Sequence, residues 1–256
     1  LKTRNISILK RVKIWGIVLY SLLFAFKGTS AKILNSSETI FQIKSCRRSL
    51  IRFGDGEFGI FVGKDISYQK WSSDLFTAFE KIKKTYESQG NECRYLLAVP
   101  HIFFKKSGLF LLRKRVYLSS WAQAKHIFQT KFRQDIKYGD AFLFGRNNVK
   151  MYEKLWKNEE NIIFVHNSKS YADWFSNYYH KTTYFIKIPE KNTYEVMDVV
   201  LNSIQECVQS NNLNTINCCI IISAGPAAKI LIYELSKLGF WCLDTGHCWD
   251  SPLQID

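Results

Sequence analysis

The sequence has no acidic residue between positions 1 and 37, and none between 93 and 134. Those windows hold seven and nine Lys or Arg residues, while the whole 256-residue chain carries a net charge of +14. Elsewhere 20 basic residues meet 22 acidic ones, so the basic character is local. Two surfaces suited to an anionic partner follow: lipid headgroups, nucleic acid or a phosphorylated substrate.

Further absences narrow the class. Seven cysteines (Cys46, Cys93, Cys207, Cys218, Cys219, Cys242 and Cys248) include no Cys-x-x-Cys pair, which removes the zinc-ribbon spacing. Cys218 and Cys219 lie in an apolar run, where free cysteine packs as a small hydrophobe. A reducing, cytoplasmic setting is the expectation. No Gly-x-x-x-x-Gly-Lys-Ser/Thr pattern occurs, so there is no P-loop. There is no internal repeat, low-complexity tract or linker. The N-terminal apolar run Ile14–Phe26 has 13 residues, short of the roughly 20 that span a bilayer as a helix. Its basic flanks share the layout of a signal peptide, and the cysteine usage argues against export. Two placements stay open. One is a helix lying in the membrane interface, with Trp15 and Tyr20 at headgroup depth and the basic cluster on anionic lipid. The other is a buried core helix.

What is present is a folded α/β chain. Hydrophobic residues make up 46% and aromatics 15%, enough for a full core. Helical patterns are expected over Glu38–Cys46, Ser72–Ser88, Tyr117–Phe132, Val149–Trp156, Ser170–Asn177, Tyr194–Gln209 and Pro226–Leu238. In the second of these, Leu75, Phe79, Ile82 and Tyr86 form one stripe. Strands are expected at Ser49–Phe53, Tyr95–Val99, Ala141–Phe144, Ile162–Val165, Thr182–Ile188, Cys218–Ser223 and Phe240–Leu243. Alternation of the two predicts a Rossmann-like, mainly parallel sheet with helices on both faces. The expected organisation is a basic segment, residues 1–37, followed by one domain, residues 38–256.

Three strand ends carry polar chemistry. The run Arg52-Phe53-Gly54-Asp55-Gly56-Glu57 stops a strand on two glycines and places two carboxylates one residue apart. Hard oxygen ligands on such a turn suit Mn²⁺ or Mg²⁺. The run Ser223-Ala224-Gly225-Pro226 joins a buried strand to a helix whose first residue is proline. An open helix N-terminus there attracts phosphate. The run Asp244-Thr245-Gly246-His247 ends the last strand. In open α/β sheets ligands bind beyond the carboxyl ends of the strands, so the three sets are expected to converge. His101, His126, His166 and His180 read as ordinary core or surface residues.

These motifs, with Ile188-Pro189-Glu190-Lys191-Asn192-Thr193-Tyr194 and, more loosely, Gly139-Asp140-Ala141-Phe142 and Arg146, resemble the GT-D type of glycosyltransferase across about residues 38–250. The resemblance implies a hexosyltransferase that binds a nucleotide sugar, a UDP-sugar by expectation, and a divalent cation, usually Mn²⁺. It places the family's Asp-x-Glu motif on Asp55 and Glu57. The expected metal ligands are Asp55, Glu57 and His247. The expected donor contacts are Arg52, Gly54, Gly56, Asn192, Ser223, Ala224, Gly225, Pro226, Asp244 and Gly246. The family's acids after Gly-His are replaced here by Trp249 and Ser251, and Asp250 is the nearest acid, a rival to His247 as base. The implied acceptor is a glycan, glycoprotein or lipid-linked molecule, reached with peripheral contact to anionic membrane. Two other readings compete: a metal-dependent phosphoryl-transfer or hydrolytic enzyme, and a nucleic-acid module using Phe103, Phe104, Phe110, Tyr117 and Trp121 among the basic residues of 93–134. Those aromatics suit an ordinary core better, so nucleic acid is not the expected partner.

Overall fold

The structure is a computed structural model that describes residues 28–105 and 118–249, together with Val12, Trp15, Gly16 and Leu19. Tyr20, Phe110, Asp250 and Ser251 lie outside the described residues. Eight strands form one sheet: β1 (Lys32–Ile33), β2 (Ser49–Arg52), β3 (Tyr95–Val99), β4 (Lys137–Asp140), β5 (Asn161–His166), β6 (Thr182–Lys187), β7 (Cys218–Ile222) and β8 (Trp241–Asp244). Their spatial order is β1-β4-β3-β2-β8-β7-β5-β6, and every pairing is parallel. Strands β3 and β7 are buried along their whole length, as expected of a sheet covered on both faces.

The helices are α1 (Ser36–Ser45), α2 (Asp55–Ile60), α3 (Ser73–Gln89), α4 (His101–Lys105), α5 (Leu118–Lys131), α6 (Val149–Tyr152), α7 (Lys169–Tyr179), α8 (Met197–Ser210) and α9 (Pro226–Lys237). Chain steps toward the β1 edge carry α3, α8 and α9, and steps toward the β6 edge carry α1, α6 and α7. Right-handed crossovers put the two groups on opposite faces, and α9 packs on α3 and α8 accordingly. The stripe Leu75, Phe79, Ile82 and Tyr86 of α3 is buried as its spacing predicts.

Three departures have physical causes. No strand forms at Ala141–Phe144. The strand is Lys137–Asp140, and Asp140 ends it by accepting the Phe142 N–H at 2.9 Å. Gly139 fits that strand because a side chain there would meet Leu96 at 2.9 Å. The Asp55-Gly56-Glu57 turn is the first turn of α2, with the Glu57 carboxylate accepting the Gly54 N–H at 2.9 Å. Finally, the sheet reaches back to Lys32, and Ala31, Ile33 and Leu34 are buried in the core, so the packed domain begins before residue 38.

Phe104 is fully buried and stacks on Phe128, and Trp121 stacks on Phe103 at 4.5 Å. These aromatics belong to the core rather than to a base-stacking platform. All seven cysteines are free, and Cys218 and Cys219 are buried in β7. Among the described residues no helix is long and apolar enough to cross a membrane.

Candidate active site

A cavity of about 840 Å³ runs along the carboxyl edge of the sheet, from Ala141 after β4 to Ile188 after β6. Its lining includes Arg52, Gly54, Asp55, Gly56, Glu57, Ser223, Ala224, Gly225, Pro226, Gly246 and His247. The three strand ends therefore converge, because β2, β8 and β7 are neighbours in the sheet.

The floor is a buried charge cluster centred on Lys229, which the sequence reading left as a helix residue. Lys229 lies one turn into α9, and helical side chains lean toward the N-terminus. Its Nζ lies 2.9 Å from Glu57 Oε1 and 3.0 Å from Asp244 Oδ2, and it donates to the Gly225 carbonyl at 3.1 Å. Lys229 is 3% exposed, Glu57 5% and Asp244 0%. Burial pulls the Lys229 ammonium down, but Asp244 and Glu57 outweigh it and hold it above its ordinary value. Asp244 also accepts the Arg52 N–H at 3.2 Å and the Gly246 N–H at 3.1 Å. Arg52 Nη2 lies 3.6 Å from Asp244, while Nη1 donates to the Ala141 carbonyl at 2.8 Å.

The two carboxylates of the Asp-x-Glu motif have separate positions. Glu57 is buried and spends its oxygens on Gly54 N–H and Lys229. Asp55 is exposed to the cavity and makes no hydrogen bond or ion pair with another described residue. His247 is exposed in the 3₁₀ turn Gly246–Trp249. Among the described residues no three His, Cys, Asp or Glu side chains converge as a metal cluster, so Asp55, Glu57 and His247 are not drawn into one. The residues still fit a hard divalent cation that takes one carboxylate and fills its other positions with phosphate oxygens and water.

Two glycines are required where they stand. Gly246 has φ +53°, and a Cβ there would lie 1.9 Å from Arg52 Nη2. Gly225 also has φ +53°, and a Cβ would lie 2.7 Å from Tyr68 Cε2. Pro226 then starts α9 with no N–H to satisfy. Ser223 and Thr245 join the turns after β7 and β8 through a 2.9 Å hydroxyl contact.

Asn192 does not line the cavity. It sits in left-handed backbone and its Oδ1 accepts the Lys70 N–H at 3.1 Å. Asp244 lies beneath the cavity as a support. Tyr68, Arg146 and His166 line the cavity without having been singled out as site residues. His166 is buried, and its Nδ1 accepts the Ser168 N–H at 3.0 Å. The Tyr68 phenol is held above its ordinary value by the Glu57 carboxylate first, then by burial, Asp244 and Asp55, with Arg52 opposing.

An all-parallel sheet with an acidic turn, an open helix start and a histidine along one carboxyl edge marks a ligand site beyond the strand ends. Over residues 50–251 the sequence matches the profile of the glycosyltransferase GT-D fold, and the chain belongs to that family. It is similar to a probable glycosyl transferase, Gly, of Streptococcus gordonii: 21% identical over 231 residues, covering 84% of this chain and 32% of that protein. It is similar also to the glycosyltransferase GlyD of Streptococcus pneumoniae serotype 4: 25% identical over 233 residues, covering 82% and 26%. The chain thus spans about a third or less of the curated relatives it matches. Among solved structures it resembles domain of unknown function 1792, described as having a distinct glycosyltransferase fold, with TM-score 0.67 at 20% identity over 92% of this chain and 82% of that one. A glycosyltransferase of the same domain from Streptococcus sanguinis gives TM-score 0.69 at 20% identity over 85% and 82%. The Rossmann-like sheet expected from the sequence is therefore the fold of this family.

Proposed function

We propose that the chain transfers a hexose from a nucleoside-diphosphate sugar, a UDP-sugar, to a glycan, glycoprotein or lipid-linked acceptor with the help of Mn²⁺ or Mg²⁺. The observation that carries this reading is that one carboxylate, Asp55, unpaired among the described residues, lines the same cavity as the open start of α9 at Gly225. Diphosphate needs positive charge and N–H donors as its own charge grows. The start of α9 offers N–H groups and the positive end of the helix dipole. Asp55 would hold the cation, His247 would face the same cavity and meet the diphosphate, and Glu57 would keep the turn in place from below. A bound cation supplies charge neutralisation at the leaving diphosphate. Arg52 holds the β8 turn against the end of β2, which keeps His247 at the cavity mouth. Val12, Trp15 and Leu19 are helical and exposed at spacings of three and four. That stripe, in a window without acid, suits peripheral contact with anionic lipid.

The test is a titration of UDP-sugars with and without Mn²⁺, followed by assay of UDP release. Asp55→Ala should lower turnover at least about 100-fold at an unchanged melting temperature. Full activity in that variant, or undiminished activity in excess chelator, refutes the metal role. Release of inorganic phosphate in place of sugar transfer favours the hydrolytic alternative.

A further inference from the structure

Tyr68 enters the cavity from a loop, not from a strand end. The loop between α2 and α3 closes on itself through backbone hydrogen bonds between Ile66 and Gln69 at 2.9 and 3.2 Å. It is fastened to the segment after β6 at three points. Asn192 N–H donates to the Tyr68 carbonyl at 2.8 Å, Lys70 N–H to Asn192 Oδ1 at 3.1 Å, and Tyr194 N–H to Gln69 Oε1 at 3.2 Å. The backbone that carries Tyr68 is thus fixed before any ligand arrives.

The ring fills the space between two of the strand-end turns. Its Cδ2–Cε2 side lies against Gly225, leaving no room for a side chain there. Its other neighbour is His247, edge to face with centroids 5.6 Å apart. The ring lines the cavity together with Asp55 and Glu57. Its hydroxyl has no hydrogen-bond partner among the described residues. A half-buried tyrosine, fixed at its root and unspent at its tip, lines the cavity beside the start of α9.

We propose that Tyr68 is a catalytic residue whose hydroxyl donates a hydrogen bond to the leaving diphosphate, an inference that rests on the nucleotide-sugar reading above. In the transfer the bond between the anomeric carbon and the β-phosphate oxygen breaks, and its electron pair stays on that oxygen. The acceptor oxygen bonds to the anomeric carbon and releases its proton to solvent. The phenol keeps its proton throughout, since it donates a hydrogen bond and not an ion. A phenol with an ordinary pKa of about 10 is a donor at neutral pH. Neutrality matters here, because a further carboxylate would repel the diphosphate. The donated bond strengthens as charge develops, so it acts on the transition state more than on the bound substrate.

The experiment compares wild type, Tyr68→Phe and Tyr68→Ala, each with Mn²⁺ and with UDP-glucose, UDP-galactose and UDP-N-acetylglucosamine. UDP release is measured with water as acceptor, and UDP and donor affinities by calorimetry. The phenylalanine ring preserves the contacts with Gly225 and His247, so the melting temperature should hold. Expected for Tyr68→Phe is a fall in kcat of about 10- to 100-fold, with donor affinity unchanged and UDP affinity weakened. Tyr68→Ala should add a loss of stability from the missing ring. A folded Tyr68→Phe protein with kcat within twofold of wild type overturns the role, as does a change confined to donor KM. If wild type is active, such a result overturns the Tyr68 role alone. If wild type neither binds nor cleaves any of these donors, the nucleotide-sugar reading falls and takes this role with it.

Discussion

Of the three lysines buried among the described residues, Lys83, Lys125 and Lys229, the last two are pushed in opposite directions by their surroundings. Lys229 on α9 lies between Glu57 and Asp244 beneath the cavity, and its ammonium is held above the ordinary range. Lys125 on α5, the helix that packs against α2, has no exposed surface, and burial lowers it to about 8. Neither side chain has more than a few per cent of its surface exposed. The difference lies in what the surroundings offer the charge: two carboxylates in one case, desolvation as the governing influence in the other. A buried lysine is a fixed cation only where the fold brings it anions, and the fold does so at the carboxyl edge of the sheet.

Breaking the Lys229 cluster should give the largest effect. Lys229→Met leaves Glu57 and Asp244 buried without their cation and should cost about 3–5 kcal/mol of stability, measured by urea unfolding. Adding Glu57→Gln should recover part of that, because Asp244 keeps the N–H groups of Arg52 and Gly246. A loss below about 1 kcal/mol, the scale of an exposed ion pair, would show that the cluster is not the cation's anchor.

The Lys125 side of the comparison predicts a pH dependence. An unfolded lysine titrates near 10.4, whereas folded Lys125 titrates at about 8. Between those values the unfolded chain binds more protons, so this residue's contribution to stability rises with pH, and its penalty is fully present below pH 8. The advantage of Lys125→Met over wild type should therefore be greatest below pH 8 and shrink toward pH 10. Parallel melting curves at several pH values measure the gap, and a gap that widens with pH contradicts the assignment.

The smallest effect should come from the opposite edge of the sheet. Arg47 meets Glu159 through two 2.9 Å hydrogen bonds, with its side chain 38% exposed. Arg47→Ala should cost about 1 kcal/mol or less, and the cost should shrink in 1 M salt. A loss as large as that of Lys229→Met would erase the contrast between a clamp with a half-exposed cation and a cluster with a buried one.

Much of the site could be read from the sequence because strand ends announce themselves. Gly54, Gly225 and Gly246 each stand within three residues of the end of an apolar run and within two of a polar residue, so Asp55, the α9 start and His247 were found at the cavity. Lys229 was hidden because a lysine inside a helix usually reaches water. Only the adjacency of β2, β8 and α9 turns it inward. Tyr68 was hidden for another reason. Its loop has no hydrophobic period, and what brings it over the site is pairing with Asn192 and Tyr194, more than 120 residues away in sequence. Asn192 itself was read as a donor contact, and in the fold it holds that loop. The short strand β1 gave no periodic signal at two residues, and Gly139 concealed the true extent of β4.

The adjacency of β2 and β8 has a consequence for the order in which the molecule is made. Arg52 and Asp244, which touch across that seam, are 192 residues apart in the chain. Strands β2, β3 and β4 can pair early in synthesis, but β2 keeps one edge open until the chain through Asp244 has emerged. At about 5–20 residues per second, that wait lasts on the order of 10–40 seconds. The cavity floor therefore cannot exist in a chain that ends before Trp241. A ribosome-bound fragment ending before Trp241 should bind no nucleotide and should expose an unpaired strand, the kind of edge that chaperones cover.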